Sequence, residues 1–348
     1  MARILYLVAG EGNGHATRSA AVIEELKARG HEVVAVSDRT ALSMLGKVAD
    51  RTIEAVTPRM QYQNNAVTAW GTLTQNVASF PRALAGLVRV WSFARSWKPN
   101  IIVTDFNPMA AFLWGAPIVS IDNQHLICQA KIDVPKGCLI EYLKSWFVVK
   151  ALVPRAQVRV ITSFADVPVR MESVRVGPIL STSIRSLKPS KGRHLVVYQT
   201  TPTNQLLARL LPSLNVEIAA YGFGKVGKEG KVRFMPFDDK GWRKDLASCR
   251  AVVVNGGFSL ITEALYLHKP VLCFPIKHQF EQILNAYYVE KSGCGIWAKE
   301  ISALQVEAFI KKIGAFEKKM ARMSWANGAQ EAVEIVEQVL RGDKSLNP

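Results

Sequence analysis

Val252-Val253-Val254-Asn255-Gly256-Gly257-Phe258-Ser259-Leu260-Ile261-Thr262-Glu263 is the stretch that decides the fold. The valines read as the end of a buried strand, the two glycines as a tight turn, and the residues after them as a helix. Such a turn leaves bare amides and a positive helix end aimed at one spot, an anion site whose natural ligand is phosphate. No Lys-Ser/Thr follows the glycines, so it is not a Walker loop. Glu263 falls about one and a half turns into the helix. A carboxylate there can accept hydrogen bonds from both hydroxyls of a ribose; the bare sequence equally allows a solvated helix residue.

Outward from this stretch the same alternation continues. Downstream, Lys269-Pro270-Val271-Leu272-Cys273-Phe274-Pro275 reads as the next strand, and Glu281-Gln282 opens the helix after it. Strands are expected at 195–199, 216–221, 232–235, 251–254 and 271–274. Helices are expected near 203–212, 241–248, 259–267 and 280–292, with a final helical stretch over about 302–341. The pattern also opens the chain. Arg3 to Ala9 reads as a strand, Gly10 to His15 as a glycine-rich turn, Thr17 to Arg29 as a helix closed by Gly30, and Glu32 to Ser37 as a strand. Asn100 to Thr104 is a strand ending at Asp105, followed by a helical Met109 to Leu113, a strand Pro117 to Ile121, a helix over 138–152 and a strand Val158 to Thr162. Between the two βα series, Gly177 to Gly192 lacks periodicity and carries Pro178, Pro189 and several serines, which marks a linker. The prediction is an α/β protein of two doubly wound, Rossmann-like domains, 1–180 and 190–348, the terminal helices belonging to the second. The length of 348 residues suits two domains. Ligands are expected at the carboxyl ends of the strands.

Gly10-Glu11-Gly12-Asn13-Gly14-His15 nearly fits the dinucleotide fingerprint, with Asp38 beyond the second strand as the ribose acid such a site needs. His15 replaces the third glycine, which weakens a nicotinamide or flavin reading. The alternative use of the loop is steric. Small residues, Gly14 among them, let a substrate approach the backbone, and His15 starts a helix whose positive end favours the neutral imidazole of a general base.

The net charge is +16, spread as +6 through residue 174 and +10 beyond it. The balance favours anionic partners. No zinc finger, RNA-binding aromatic motif or long Lys/Arg run is present, so nucleic acid is not the expected one. No acidic residue occurs between Glu54 and Asp105, an interval holding Arg59, Arg82, Arg89, Arg95 and Lys98 together with Trp70, Phe80, Trp91, Phe93 and Trp97. A helix from Pro81 would carry Leu84, Leu87, Val88 and Trp91 on one face and Arg82, Arg89 and Ser96 on another. It reads either as an ordinary surface helix or as a peripheral contact with anionic membrane through Arg82, Arg89 and Trp91. No apolar run is long enough to span a bilayer. The five scattered cysteines fit neither a disulfide scaffold nor a zinc ribbon. A cytoplasmic protein, peripheral on the inner face of the membrane where the basic helix touches it, is the expectation.

The Gly-Gly turn, Glu263, the Lys269–Pro275 strand and Glu281-Gln282-x-x-Asn285-Ala286 together resemble the donor-binding domain of GT-B glycosyltransferases. The likeness is both to the UDP-glycosyltransferases and to the lipid II-forming N-acetylglucosaminyltransferases, of the family 28 C-terminal type. It covers about residues 190–300 and short N-terminal pieces. It implies two domains facing a central cleft, and a metal-independent hexosyltransferase-type enzyme without a cofactor. The donor would be a nucleotide-sugar, a UDP-sugar by the same likeness. By resemblance, Asn255, Gly256 and Gly257 would hold the diphosphate, Ser259 would also bind the donor, and Phe237 would meet the nucleobase. Glu263 would bind the ribose, and Glu281 with Gln282 would read the donor sugar. His15 matches the catalytic histidine and Asp105 the aspartate that orients it; read alone, Asp105 is equally a helix N-cap. The chain departs from the pattern in three places. Asn255 stands where many relatives have histidine, and Glu281-Gln282 where they have Asp-Gln or Gln-Gln. Gln199-Thr200-Thr201-Pro202-Thr203 replaces a glycine-rich turn of the lipid II enzymes. The implied reaction is transfer with inversion to an acceptor hydroxyl, and the basic aromatic stretch points to a lipid-linked or membrane-proximal acceptor of the cell envelope. A nucleotide-sugar epimerase and a non-catalytic donor-fold scaffold are the alternatives from other classes.

Overall fold

The computed structural model describes residues 1–152, 155–200, 202 and 204–343. The chain forms two compact units. The first comprises Met1–Gln61, Ala69–Ser181 and the residues from Trp325 onward; the second comprises Tyr62–Thr68 and Thr182–Ser324.

The first unit is built on a parallel sheet of strands β1 (Arg3–Val8), β2 (Glu32–Ser37), β3 (Arg51–Glu54), β6 (Ile101–Asp105), β7 (Ile118–Asp122), β8 (Val158–Thr162) and β9 (Ser173–Val176), in the order β3-β2-β1-β6-β7-β8-β9. The helices are α1 (Gly12–Ala28), α2 (Arg39–Leu45), α3 (Ala69–Trp97), α4 (Leu126–Gln129), α5 (Leu139–Leu152) and, from the end of the chain, α12 (Gly328–Leu340). Both faces of the sheet are covered, so its central strands are largely apolar, while the edge strands β3 and β9 carry exposed polar residues. Along β1, Ile4, Tyr6 and Val8 join a core with Val22, Ile23 and Leu26 of α1 and Val333 and Val336 of α12. Leu5 and Leu7 join the opposite core with Val90 and Ala94 of α3. The alternation follows the two-residue period of a strand.

The second unit repeats the design with β10 (Leu195–Tyr198), β11 (Ile218–Tyr221), β12 (Gly227–Glu229), β13 (Val232–Met235), β14 (Ala251–Val254), β15 (Val271–Cys273) and β16 (Gly295–Trp297), in the order β12-β13-β11-β10-β14-β15-β16. Only β12 runs antiparallel to its neighbour. Its helices are α6 (Thr182–Arg185), α7 (Gln205–Leu210), α8 (Asp239–Ser248), α9 (Phe258–Tyr266), α10 (Phe280–Lys291) and α11 (Ala303–Met320). A small hairpin, β4 (Tyr62–Gln63) with β5 (Ala66–Val67), also belongs here: Lys277 exchanges backbone hydrogen bonds with Asn65 and Val67.

Three expectations are corrected. The terminal helices do not both belong to the second unit: α11 does, but α12 packs in the first. Its Glu337 takes hydrogen bonds from Arg29 at 3.0 Å and His31 at 3.1 Å, and its Glu331 accepts from the Gly177 amide at 2.8 Å. The helix expected to start at Pro81 starts at Ala69 and runs through the proline. Pro81 lacks an N–H, so one turn goes without its bond, but a 29-residue helix anchored by its packing tolerates the loss. The helical Met109–Leu113 is a 3-10 turn, Pro108–Phe112, capped by Asn107 rather than Asp105.

Candidate active site

In each sheet the chain first builds outward in one direction and then returns to build in the other. The reversal lies between β1 and β6 in the first unit and between β10 and β14 in the second. Loops at such a switch point diverge and leave room for a ligand at the strands' carboxyl ends.

The first switch point holds His15 and Asp105. His15 sits in the opening turn of α1, and its Nδ1 lies 2.7 Å from Oδ1 of Asp105, the last residue of β6. Its ring stacks on Phe106 at 6.4 Å. Asp105 is fully buried, which alone would raise its carboxyl. The charges of Arg18 and then His15 outweigh that and hold it below the usual carboxylate range. A carboxylate on Nδ1 fixes the tautomer and leaves Nε2 as the proton acceptor. Nε2 lies 3.4 Å from Nε2 of Gln124, on the loop after β7.

Sequence reasoning missed Arg18, Ser19, Asn123 and Gln124. Arg18 stands three residues after His15, where helical neighbours meet, on a helix face otherwise apolar; that was the available signal. The loop after β7 carried none. Asp38, the acid that a dinucleotide reading would put on a ribose, is engaged within the protein. It is buried, bound by Arg59 and Thr57, and fills the space beside Gly10, where a Cβ would run into its carboxylate. Gly14 lies in the first turn of α1 with His15.

The second switch point holds the glycine turn. Gly256 has φ +127°, and a Cβ there would stand 2.9 Å from the Gln282 carbonyl oxygen, so only glycine fits. Asn285 donates to the Gly256 carbonyl at 3.0 Å. Gly257 N-caps α9, and the space beyond its missing Cβ is open, which lets a ligand reach the backbone. Ser259 follows in the first turn of α9. Asn255, expected at the diphosphate, has partners within the protein. It is buried, its Oδ1 accepts from the Thr200 amide at 2.8 Å, and its Nδ2 faces Asn65 Oδ1 at 3.2 Å and the Phe274 carbonyl at 3.4 Å. It ties three loops together across the switch point. Thr201 and Thr203, in the loop that departs from the glycine-rich pattern, lie outside the described residues.

Beside the turn, Phe237 is half-exposed and forms an aromatic cluster with Tyr198 (6.4 Å) and Trp242 (5.7 Å), two residues the sequence reading did not single out. Asp238 next to it caps α8. Burial pushes the Glu263 carboxyl up to about 7; hydrogen bonding from Trp242 offsets this only in part, and Asp239 adds to it. Glu281 lies in the first turn of α10. Gln282 is buried, with its Oε1 accepting from the Ile276 amide at 3.0 Å, so that oxygen braces the loop after β15.

The basic helix divides its residues in an unexpected way. Gly86, Val90 and Ala94 of α3 face the core. Trp70, Leu73, Val77, Phe80, Leu84, Val88 and Trp91 are all exposed and fall within about 40° of one line along the helix at 100° per residue. Arg95 lies over the Trp91 ring at 4.7 Å. Arg82 is exposed. Arg89 is on a different face from Trp91 and donates to the Glu54 carbonyl at 3.1 Å, so it braces β3 instead of joining the stripe. Only Val149 of α5 is buried, while Leu139, Ile140, Leu143, Phe147 and Val148 are exposed. Among the described residues, no helix is long and apolar enough to cross a membrane, and no three His, Cys, Asp or Glu side chains are grouped to hold a metal.

Comparisons with known proteins agree with this architecture. Over 97% of its length the chain is 21% identical to the whole of a UDP-N-acetylglucosamine--N-acetylmuramyl-(pentapeptide) pyrophosphoryl-undecaprenol N-acetylglucosamine transferase of Thermus thermophilus. It is 23% identical to an uncharacterized glycosyltransferase of Methanosarcina acetivorans, over 84% of each chain. In fold it is similar to the calicheamicin glycosyltransferase CalG4 (TM-score 0.67, 16% identity, 99% of each chain). It is also similar to MurG of Acinetobacter baumannii (TM-score 0.63, 14% identity, 97% of this chain and 100% of that one). The sequence profile of glycosyl transferase family 1 matches residues 2–314, nearly the whole of both sheets, and the chain therefore belongs to that family: it is a glycosyltransferase of GT-B architecture.

Proposed function

We propose that the protein transfers a sugar, with inversion, from a UDP-sugar to a hydroxyl of a lipid-linked acceptor at an anionic membrane surface. The reading assigns the second unit's switch point to the donor. The amides of Gly256 and Gly257 and the N-terminus of α9, with Ser259, meet the diphosphate and stabilise the charge it gains as the leaving group. The Phe237–Tyr198–Trp242 cluster takes the base, Glu263 the ribose, and Glu281 with Gln282 the sugar. The reading assigns the first unit's switch point to the acceptor. His15 Nε2 removes the hydroxyl proton, and Asp105 holds the ring and stabilises the imidazolium that forms.

The observation that carries the reading is the His15 Nδ1 to Asp105 Oδ1 contact of 2.7 Å, which leaves one ring nitrogen dedicated to proton transfer in a protein that belongs to a transferase family. The acceptor class draws on the Thermus relative, whose name specifies a pyrophosphoryl-undecaprenol substrate. The exposed stripe of α3, with Trp91 and Arg95, and the uncovered face of α5 with Lys144 and Lys150, supply an apolar and cationic surface of the kind that sits at a bilayer interface, whereas Arg82 lies about 160° around the helix from the stripe and is no part of it. The relatives named above are transferases, so the epimerase alternative gains nothing from them.

Thermal unfolding with UDP, dTDP, GDP and NAD tests the donor assignment. UDP at a hundred times its Kd adds about 2.7 kcal/mol to native stability and raises the midpoint by several degrees. A protein that none of the four nucleotides protects at millimolar concentration has no donor site of this kind.

A further inference from the structure

Asp105 has more partners than a carboxylate that merely orients a histidine requires. His15 Nδ1 and Arg18 Nη2 both reach Oδ1, at 2.7 and 2.6 Å. Arg18 Nε and Ser19 Oγ both donate to Oδ2, at 3.0 and 2.9 Å. Arg18 is itself buried, and its Nη1 donates to Asn123 Oδ1 at 2.7 Å. One guanidinium thus grips the carboxylate with two parallel bonds, a geometry lysine cannot copy, and spends a third bond on the loop that carries Gln124.

The charge count follows from this geometry. A lone buried carboxylate beside a histidine draws a second proton onto the ring. Here the carboxylate is already matched by a cation whose Nη2 is only 3.1 Å from His15 Nδ1. With Nδ1–H donated to Asp105, that nitrogen has no lone pair for Arg18, and the guanidinium acts on the ring by charge alone. The neutral ring leaves the group balanced; the protonated ring leaves it with a surplus positive charge in a largely buried cluster. Among the described residues, the other groups facing it are neutral or have partners of their own. Asn123, Gln124 and Phe106 are neutral, and burial keeps the Tyr6 phenol of β1 in its neutral form. Asp122 is paired with its own His125 at 2.7 Å and Ser120 at 2.6 Å. Glu11, before α1, accepts from the Met60 amide at 3.2 Å.

We propose that Arg18 is a positioning residue for proton transfer, which keeps His15 neutral and Nε2-accepting near neutral pH by neutralising Asp105, and which fixes the Asn123–Gln124 loop against the base. This deepens the reading of His15 as the general base and rests on it for its catalytic meaning. The electrostatic part is measurable without turnover.

The test is the titration of His15 by NMR in the full-length protein with labelled histidine, the signal assigned among six histidines by its loss in His15→Gln. Arg18→Gln is expected to raise the His15 midpoint by about 1–3 pH units, the range an opposite charge released at this distance produces. Arg18→Lys, which keeps the charge, moves it far less. In turnover, the acid limb of kcat/KM for Arg18→Gln shifts upward with the midpoint, and activity returns at alkaline pH. Arg18→Gln leaves a buried carboxylate without its cation, so the double variant Arg18→Gln with Asp105→Asn, which leaves no unpaired charge, is the companion; its midpoint returns to near or below the wild-type value. An unchanged midpoint in folded Arg18→Gln, or a midpoint that stays raised in the double variant, overturns the proposal and leaves Arg18 a structural tie. A His15→Ala variant that still turns over would instead remove the general base, and the Arg18 titration would be unaffected by that result.

Discussion

The two switch points occupy the same place in two sheets of the same design, yet they are furnished in opposite ways. The first gathers charge: a buried carboxylate, a buried guanidinium and an imidazole within 3.1 Å of one another. The second gathers almost none. Its turn is two glycines, its nearest side chains are the amides Asn255, Gln282 and Asn285, and the acid close to it, Glu263, is held up to about 7. A site that moves a proton needs groups whose charge can change and neighbours that set when it does. A site that receives an anion needs fixed dipoles that do not titrate. On the proposed reading the same topology supplies both, because it dictates only where loops diverge, not what they carry.

The largest effects should separate the two regions cleanly. His15→Ala is expected to lower kcat by about 10²–10⁴ while leaving UDP affinity within twofold or so. Gly256→Ala should do the reverse. Its Cβ meets the Gln282 carbonyl at 2.9 Å in a conformation of φ +127°, costing about 1–3 kcal/mol of stability and about tenfold or more in nucleotide affinity. Calorimetry of UDP binding on both variants checks the pair; weakened binding in His15→Ala would mean the two regions are not separate in function.

A smaller effect tests whether the second region is as indifferent to pH as its amides suggest. Two carboxylates, Glu281 and Glu263, are its exceptions, and burial singles out Glu263. The folded value of about 7 lies above the ordinary 4.5, so the proton is bound more tightly in the folded chain. That contribution to stability is complete below the unfolded value and is lost as pH rises through about 7. A ribose needs the ionised form, so UDP affinity should fall about tenfold per unit as pH drops below about 7, and Glu263→Gln should flatten the profile at a weaker level. A wild-type profile with no slope in this window removes Glu263 from the ribose. The smallest expected effect on either switch point comes from the α3 stripe. Trp70→Ser with Phe80→Ser and Leu84→Ser should leave the melting point and UDP binding unchanged, since all three side chains are exposed, yet abolish flotation with phosphatidylglycerol vesicles. Undiminished flotation would take the stripe off the membrane.

The two regions also differed in how legibly the sequence announced them. The glycine turn could be read because its parts are consecutive: the valine strand, Gly256-Gly257 and the helix to Glu263 are one unbroken stretch. The role of Asn255 could not, because its partners Thr200, Asn65 and Phe274 come from three other segments. At the first switch point His15 and Asp105 were expected through resemblance, whereas Arg18, Asn123 and Gln124 were not. Long apolar strands and capped helices carry their own signal; a polar cluster assembled from α1, β6 and the loop after β7 has none until the sheet brings them together. The hairpin at 62–68 and the two-residue strands within it were illegible for the same reason, since their partner is Lys277. On α3, periodicity located apolar residues correctly but could not say which of two stripes faced the core.

The placement of α12 reaches into the order of synthesis. Ala329, Ala332, Val333 and Val336 complete a core begun by Ile4, Tyr6 and Val8, so the domain that leaves the ribosome first is the last to be finished. Until its final helix emerges, the sheet beside His15 has a bare apolar face, while the intervening unit already holds all seven strands of its main sheet. A chain cut after Ser181 would therefore be no shorter enzyme but a nascent intermediate, and any exchange of second units between relatives has to carry its junctions at 61/62, 68/69, 181/182 and 324/325 instead of at one hinge.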